Sequence, residues 1–131
     1  MTLVEISAYL QAQGFGITGT DLFLGGLPVS PVVATALTEL PTSPTERVFD
    51  GVLWERPRLR VEVRDTTYLA ARTKAEDLRQ ALLALRGTVL SGALYIDAET
   101  GPVALYDRDA QLRPIMGFTA EFKKQFSLLG D

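Results

Sequence analysis

The side chains able to do chemistry here are few in kind, because the 131 residues include neither histidine nor cysteine. Lacking histidine, the chain lacks the commonest general base and the commonest transition-metal ligand. Lacking cysteine, it has no disulfides and no thiolate chemistry. Two carboxylate pairs remain, Asp97 with Glu99 and Asp107 with Asp109. Either spacing could serve acid/base catalysis or hold a hard cation. Both pairs fall at predicted turns, however, where acidic side chains accept backbone hydrogen bonds and need no second use. Gly14, Gly16 and Gly19 lie close together, but no strand feeds them, no helix follows, and no Lys-Ser/Thr pair closes a phosphate loop. Catalytic residues, metal ligands and cofactors are therefore not expected.

The other chemical feature is basic. Arg58, Arg60 and Arg64 alternate along one segment, with Arg56 just before it. On a strand they share a face, with Glu62 interleaved, and this basic stripe could contact phosphates. It could equally pair with acidic groups on a neighbouring subunit, or with Glu121 on the outer side of its own sheet. The net charge of −3 favours pairing, since sequence-independent duplex binders carry a basic excess. A small nucleic-acid-binding module that uses the Arg58/Arg60/Arg64 face is the alternative.

The element that positions these arginines is the unit from Pro57 to Arg86. Leu59, Val61 and Val63 occupy the opposite strand face, and after a short polar turn a long amphipathic helix begins. Its stripe, Tyr68, Ala71, Ala75, Leu78, Leu82 and Leu85, recurs at spacings of three and four. A strand and a helix with one apolar side each must cover one another or their neighbours, so these residues are predicted core. Gly87 is placed to cap the helix behind Arg86.

Upstream, Thr2 and Glu5 have capping-box spacing ahead of an apolar stripe of Leu3, Ile6 and Leu10. Gly14 and Phe15 are placed to close that short helix. A first strand is expected over 21–26, a proline-restricted connection over 27–31, and a second strand over 32–40, where a short helix is also compatible with the pattern. Residues 41–57 form a long loop or hairpin arm turning at Asp50-Gly51 and rich in Val48, Phe49, Val52, Leu53 and Trp54. Such an arm suits packing on its own domain or on another subunit. Downstream, strands are expected over 91–97 and 103–107, joined as a hairpin through residues 99–102. RDAQLR, residues 108–113, is expected to turn. The last strand runs from Pro114 to about Gln125, with Met116, Phe118, Ala120 and Phe122 inward, and residues 126–131 form a tail without a visible partner. No signal peptide or membrane span is expected.

These elements describe one α+β domain over 1–131. Its mixed or antiparallel sheet of about five to six strands packs against one long central helix plus a short N-terminal helix.

Several stretches taken together resemble the minor capsid and tail-terminator proteins of long-tailed bacteriophages. They are LFLGGLP, VEVRD, the helix entry Tyr68-Leu69-Ala70-Ala71, LLALRG, and LYDRDAQLRPIMGFTAEFK. Arg64, Tyr68, Ala71, Asp107, Asp109, Arg113 and Phe118 stand where that family's pattern wants them. The chain departs from the pattern at Gly117, where a polar residue is more usual, and in its own 41–57 loop.

The resemblance implies a non-enzymatic virion component that assembles in the host cytoplasm. It implies a hexameric ring of identical chains at the head-proximal end of the tail, which stops tail-tube growth and joins the tail to the neck. The implied partners are the tail tube protein and the neck or connector proteins, with genomic DNA only passing through the lumen and no membrane contact. A closed ring needs two complementary patches on each chain. The expected contact residues are Phe49, Val52, Leu53 and Trp54 of the arm, with Arg58, Arg60 and Arg64 of the strand and Arg108 and Arg113 of the turn.

Overall fold

The computed structural model describes residues 2–41, 46–47, 52–90 and 92–127. Helix α1 (Thr2–Ala12) buries Leu3, Ile6 and Leu10. It stops where the sequence indicates: Gly14 takes φ +87°, its N–H bonds Gln11 O, and Phe15 N–H reaches back to Leu10 O, each at 3.0 Å. This pairing satisfies the last carbonyls of the helix and folds Phe15 onto the core. Strands β1 (Leu22–Leu24) and β2 (Ala34–Leu40) pair in parallel, so 34–40 is strand and not helix, and β1 is shorter than the expected 21–26. The connection between them contains a cis Ser30–Pro31 peptide.

Next come β3 (Glu46–Arg47), β4 (Val52–Glu55) and β5 (Arg58–Arg64), then α2 (Tyr68–Leu83). Thr67 caps α2 by accepting the Ala70 N–H at 3.2 Å. At 16 residues the helix is about 24 Å long. It ends before Leu85 and Gly87; Gly87, at φ +81°, donates its N–H to Tyr95 O at 2.7 Å. That bond opens a hairpin of β6 (Thr88–Leu90) and β7 (Ala93–Thr100), of which β6 is absent from the sequence-based expectation. Strands β8 (Ala104–Arg108) and β9 (Pro114–Ser127) complete the chain.

β9 is the spine of the sheet. On one side β5 pairs with it along 115–121, and β4 continues along 124–127. On the other, β8 pairs along 114–117 and β7 along 120–125. β7 and β8 therefore do not form the expected hairpin. They run end to end along one edge of β9, interrupted at residues 101–103, where Gly101 N–H still bonds Thr119 O at 2.9 Å. The expected turn over 108–113 is the real reversal, between β8 and β9. Phe126 and Ser127, expected to fray, are paired with Leu53 and Val52. Ile96 and Tyr106 are each skipped by the register and bulge out of it, which increases local twist.

Both helices lie on one face of this mixed sheet. Val63 opposite Met116, Val61 opposite Phe118 and Leu59 opposite Ala120 present the buried layer. Ala71, Ala75, Leu78, Leu82 and Leu85 close over it, the two alanines letting α2 approach closely. Burying each of these leucines contributes about 1.5–3 kcal/mol. Phe122 packs edge-on against Tyr95, centroids 5.7 Å apart. Tyr68 departs from the expected core: it is 44 % exposed, because the first turn of α2 projects past the apolar layer, as exposed Leu69 beside it also shows. No helix among the described residues is long and apolar enough to cross a membrane.

Candidate interaction surface

The face away from the helices carries the arginines. Across the strands, Arg58 lies between Leu40 and Glu121, with Glu99 beyond; Arg60 lies between Thr38 and Thr119; Glu62 lies between Ala36 and Gly117. Arg58 and Arg60 are exposed, and Arg58 Nη1 donates to Pro41 O at 3.4 Å. The register thus puts Arg58 beside Glu121, the cross-strand neighbour that the alternation predicts. Tyr106 lies over Gly117, where a Cβ would collide with the tyrosine ring and stand 2.8 Å from Val61 O. The departure at Gly117 is therefore a seat for an aromatic ring. Burial raises the Tyr106 hydroxyl pKa, Arg60 opposes that, and Glu62 adds to it.

Arg64 does not belong to this face. Its side chain is only 4 % exposed, turned into the connection before β2. There Nε donates to Val32 O at 3.0 Å, and Nη2 to Pro31 O at 2.7 Å and Val29 O at 3.4 Å. Asp109 Oδ2 lies 3.9 Å from Nε. Burial, then the charge of Arg113, lowers the guanidinium pKa, and Asp109 opposes them. Arg113 is also mostly buried. It pairs with Asp109 through Nε and reaches Val29 O through Nη2 at 3.4 Å. Burial raises the Asp109 pKa, but the hydrogen bonds from the Arg113 and Gln111 backbone and the Arg113 side chain outweigh it and hold the carboxyl below its usual range. Arg64, Asp109 and Arg113 thus form a joint between loops distant in sequence. Of the turn arginines, Arg108 stays exposed.

Asp107 and Asp97, two of the candidate carboxylates, do backbone and ion-pair work. Asp107 accepts the Arg108 N–H at 2.7 Å, while Asp97 accepts the Ala98 N–H and pairs with Arg86, both at 2.9 Å. Among the described residues no three potential ligands converge as a metal would require. The arm is a continuation of the sheet: Glu46 pairs with Trp54 and Arg47 with Leu53, while Val52–Glu55 pairs with the end of β9. Val48, Phe49 and the turn at Asp50-Gly51 lie outside the described residues.

One polar cluster escaped the sequence reading. Lys124 Nζ lies 2.8 Å from Glu5 Oε2 and 3.2 Å from Thr2 Oγ1, and Tyr95 Oη donates to Glu5 Oε2 at 2.7 Å. The Lys124 ammonium also stands 5.7 Å from the Tyr95 ring centroid. The Glu5 carboxylate is thereby committed to the sheet, a use that its capping-box spacing does not reveal. Its pKa is raised by burial but lowered on balance by the Lys124 and Tyr95 hydrogen bonds. The Tyr95 hydroxyl pKa is pushed far up, by burial first and then by Glu5. The signal was available, because Lys124 continues the inward parity of 116, 118, 120 and 122.

Residues 9–126 match the family described as bacteriophage tail terminator protein. The chain belongs to that family. Its place is the virion tail, and the terminator is a structural tail protein. A chain in the solved virion of a native gene transfer agent particle shares the fold, with a TM-score of 0.64 at 14 % identity over 94 % of the terminator and 93 % of that chain. No curated protein matches the terminator sequence.

Proposed function

We propose that the protein closes into a hexameric ring at the head-proximal end of the tail, where it stops tube growth and joins the tail to the neck by contact rather than catalysis. The family match across residues 9–126 carries this reading. The tail tube protein meets one side of the ring, neck or connector proteins meet the other, and genomic DNA passes through the lumen. The arm around Val52, Leu53 and Trp54 supplies one contact patch. The exposed Arg58 and Arg60, with Arg108, supply another; Arg64 and Arg113 support that surface from within.

The test is the native mass of purified protein, alone and with isolated tails viewed by electron microscopy. A ring-sized particle, or capped tail ends, is expected. Persistent monomers together with uncapped tails would sink the proposal. Trp54→Ala is expected to reduce ring mass and tail joining; if both are unchanged, the arm is not a contact patch.

A further inference from the structure

Arg64 holds donors that the fold does not use. Its side chain is only 4 % exposed, and the carbonyls of Val32, Pro31 and Val29 take up Nε and Nη2, leaving Nη1 without an acceptor among the described residues. Arg113 repeats the arrangement. Its Nε pairs with Asp109 and its Nη2 reaches the same Val29 carbonyl at 3.4 Å, while Nη1 again has no acceptor among the described residues. Two guanidinium groups therefore share one carboxylate and one carbonyl oxygen. A buried guanidinium whose donors are partly unmatched is costly unless something else accepts from it.

Both arginines border an open recess of about 380 Å³, with Leu27, Pro28 and Ile115 among its walls. Asp109 does not balance the pair: at the Arg64 guanidinium the repulsion from Arg113 exceeds the attraction of Asp109. Glu62 also borders the recess, but its charge is felt at the Tyr106 hydroxyl and not at Arg64. Positive charge is thus under-compensated beside a space that a small group can enter. A carboxylate suits that space in charge and in shape, because its oxygens lie in one plane and accept parallel bonds from a guanidinium edge. A phosphate would bring more negative charge than the recess lacks, between apolar walls. We propose that this recess binds a carboxylate, carried by a free small acid or by an acidic side chain of another copy of the chain. The site stands whether or not the copies form a ring.

The whole chain is titrated with sodium acetate, and separately with sodium chloride at matched ionic strength, while the Nε–H signals of Arg64 and Arg113 are followed by NMR. Acetate is expected to shift both signals saturably, with a Kd roughly in the millimolar range, and chloride to leave them in place. Asp109→Asn removes the competing carboxylate yet keeps an acceptor for the N–H groups of the turn, and should tighten acetate binding about tenfold. Arg64→Lys keeps the charge but loses the forked donors, and should weaken it about tenfold. Shifts that stay linear in acetate, shifts equalled by chloride, or an affinity unmoved by Asp109→Asn would each overturn the site. Should Arg64→Lys fail to fold, Asp109→Asn decides alone. Acetate that shifts the signals and also lowers the native mass in light scattering identifies the occupant as an acidic side chain of another copy; shifted signals at unchanged mass identify a free acid.

Discussion

Lys124 occupies the fifth inward position of an alternating run, and its ammonium is buried against Glu5, Thr2 and Tyr95. Removing one member of such a pair leaves the other charge buried without its partner. Lys124→Ala is therefore expected to lower the unfolding free energy by about 3–5 kcal/mol in urea titrations. Replacing both charges, with Glu5→Leu and Lys124→Met, should recover most of that loss; the remainder reports the Tyr95 hydroxyl left without its acceptor. The same pair sets a pH dependence. Glu5 titrates lower in the folded protein than its unfolded value of about 4.3. Its stabilisation is thus complete above that value and is lost as pH falls through the folded pKa. The stability gap between the native chain and Glu5→Gln should be flat from about pH 7 to 5 and close below that. A gap that widened on acidification would show the sign to be wrong.

At the scale of elements, β9 replaces the β5–α2 unit as the organiser of the fold. Both β4–β5 and β7–β8 are broken strands laid along it, and the breaks at 56–57 and 101–103 hold the prolines and glycine that interrupt strands. Gly117 tests how tightly this ladder is packed. Gly117→Ala drives a methyl group into the Tyr106 ring and toward the Val61 carbonyl, which should cost about 1–3 kcal/mol. The loss should be smaller in a Tyr106→Ala background, where only the carbonyl contact remains, and a double-mutant cycle by thermal melting reads the difference. Thr67→Ala removes the α2 cap and should cost about 1 kcal/mol in the same assay.

For the whole molecule, the net charge of −3, with Arg58 and Arg60 exposed on the outer sheet face among the described residues, favours protein contact over duplex binding. Arg64, one of the three arginines on which the nucleic-acid alternative depended, is turned inward. Labelled duplex DNA at about 150 mM salt is expected to remain unbound, since surface phosphate contacts are weak there. Tight, strongly salt-dependent binding would instead revive that alternative. Reversing Arg58 and Arg60 to glutamate should reduce the native mass in light scattering while each change alters stability by less than about 0.5 kcal/mol. An unchanged mass would remove the strand face from the contact.

The sequence by itself determined the two helices, the Gly14 stop of α1, the inward parity of β5 and β9, and the absence of histidine and cysteine chemistry, but not the caps of α2, which are Thr67 and Ala84 and not Gly87. Those properties are local: periods of 2.0 and 3.6 and the conformation of Gly14 are written in neighbouring residues. Alternation shows which side a residue takes, but not what covers that side. Only the tertiary structure decided that Arg64 is buried beneath the loop before β2, that Tyr68 lies beyond the core, and that β7 and β8 share one edge of β9 instead of pairing. Each depends on contacts between residues far apart in the chain, and the same distance hid the bond from Lys124 to Glu5.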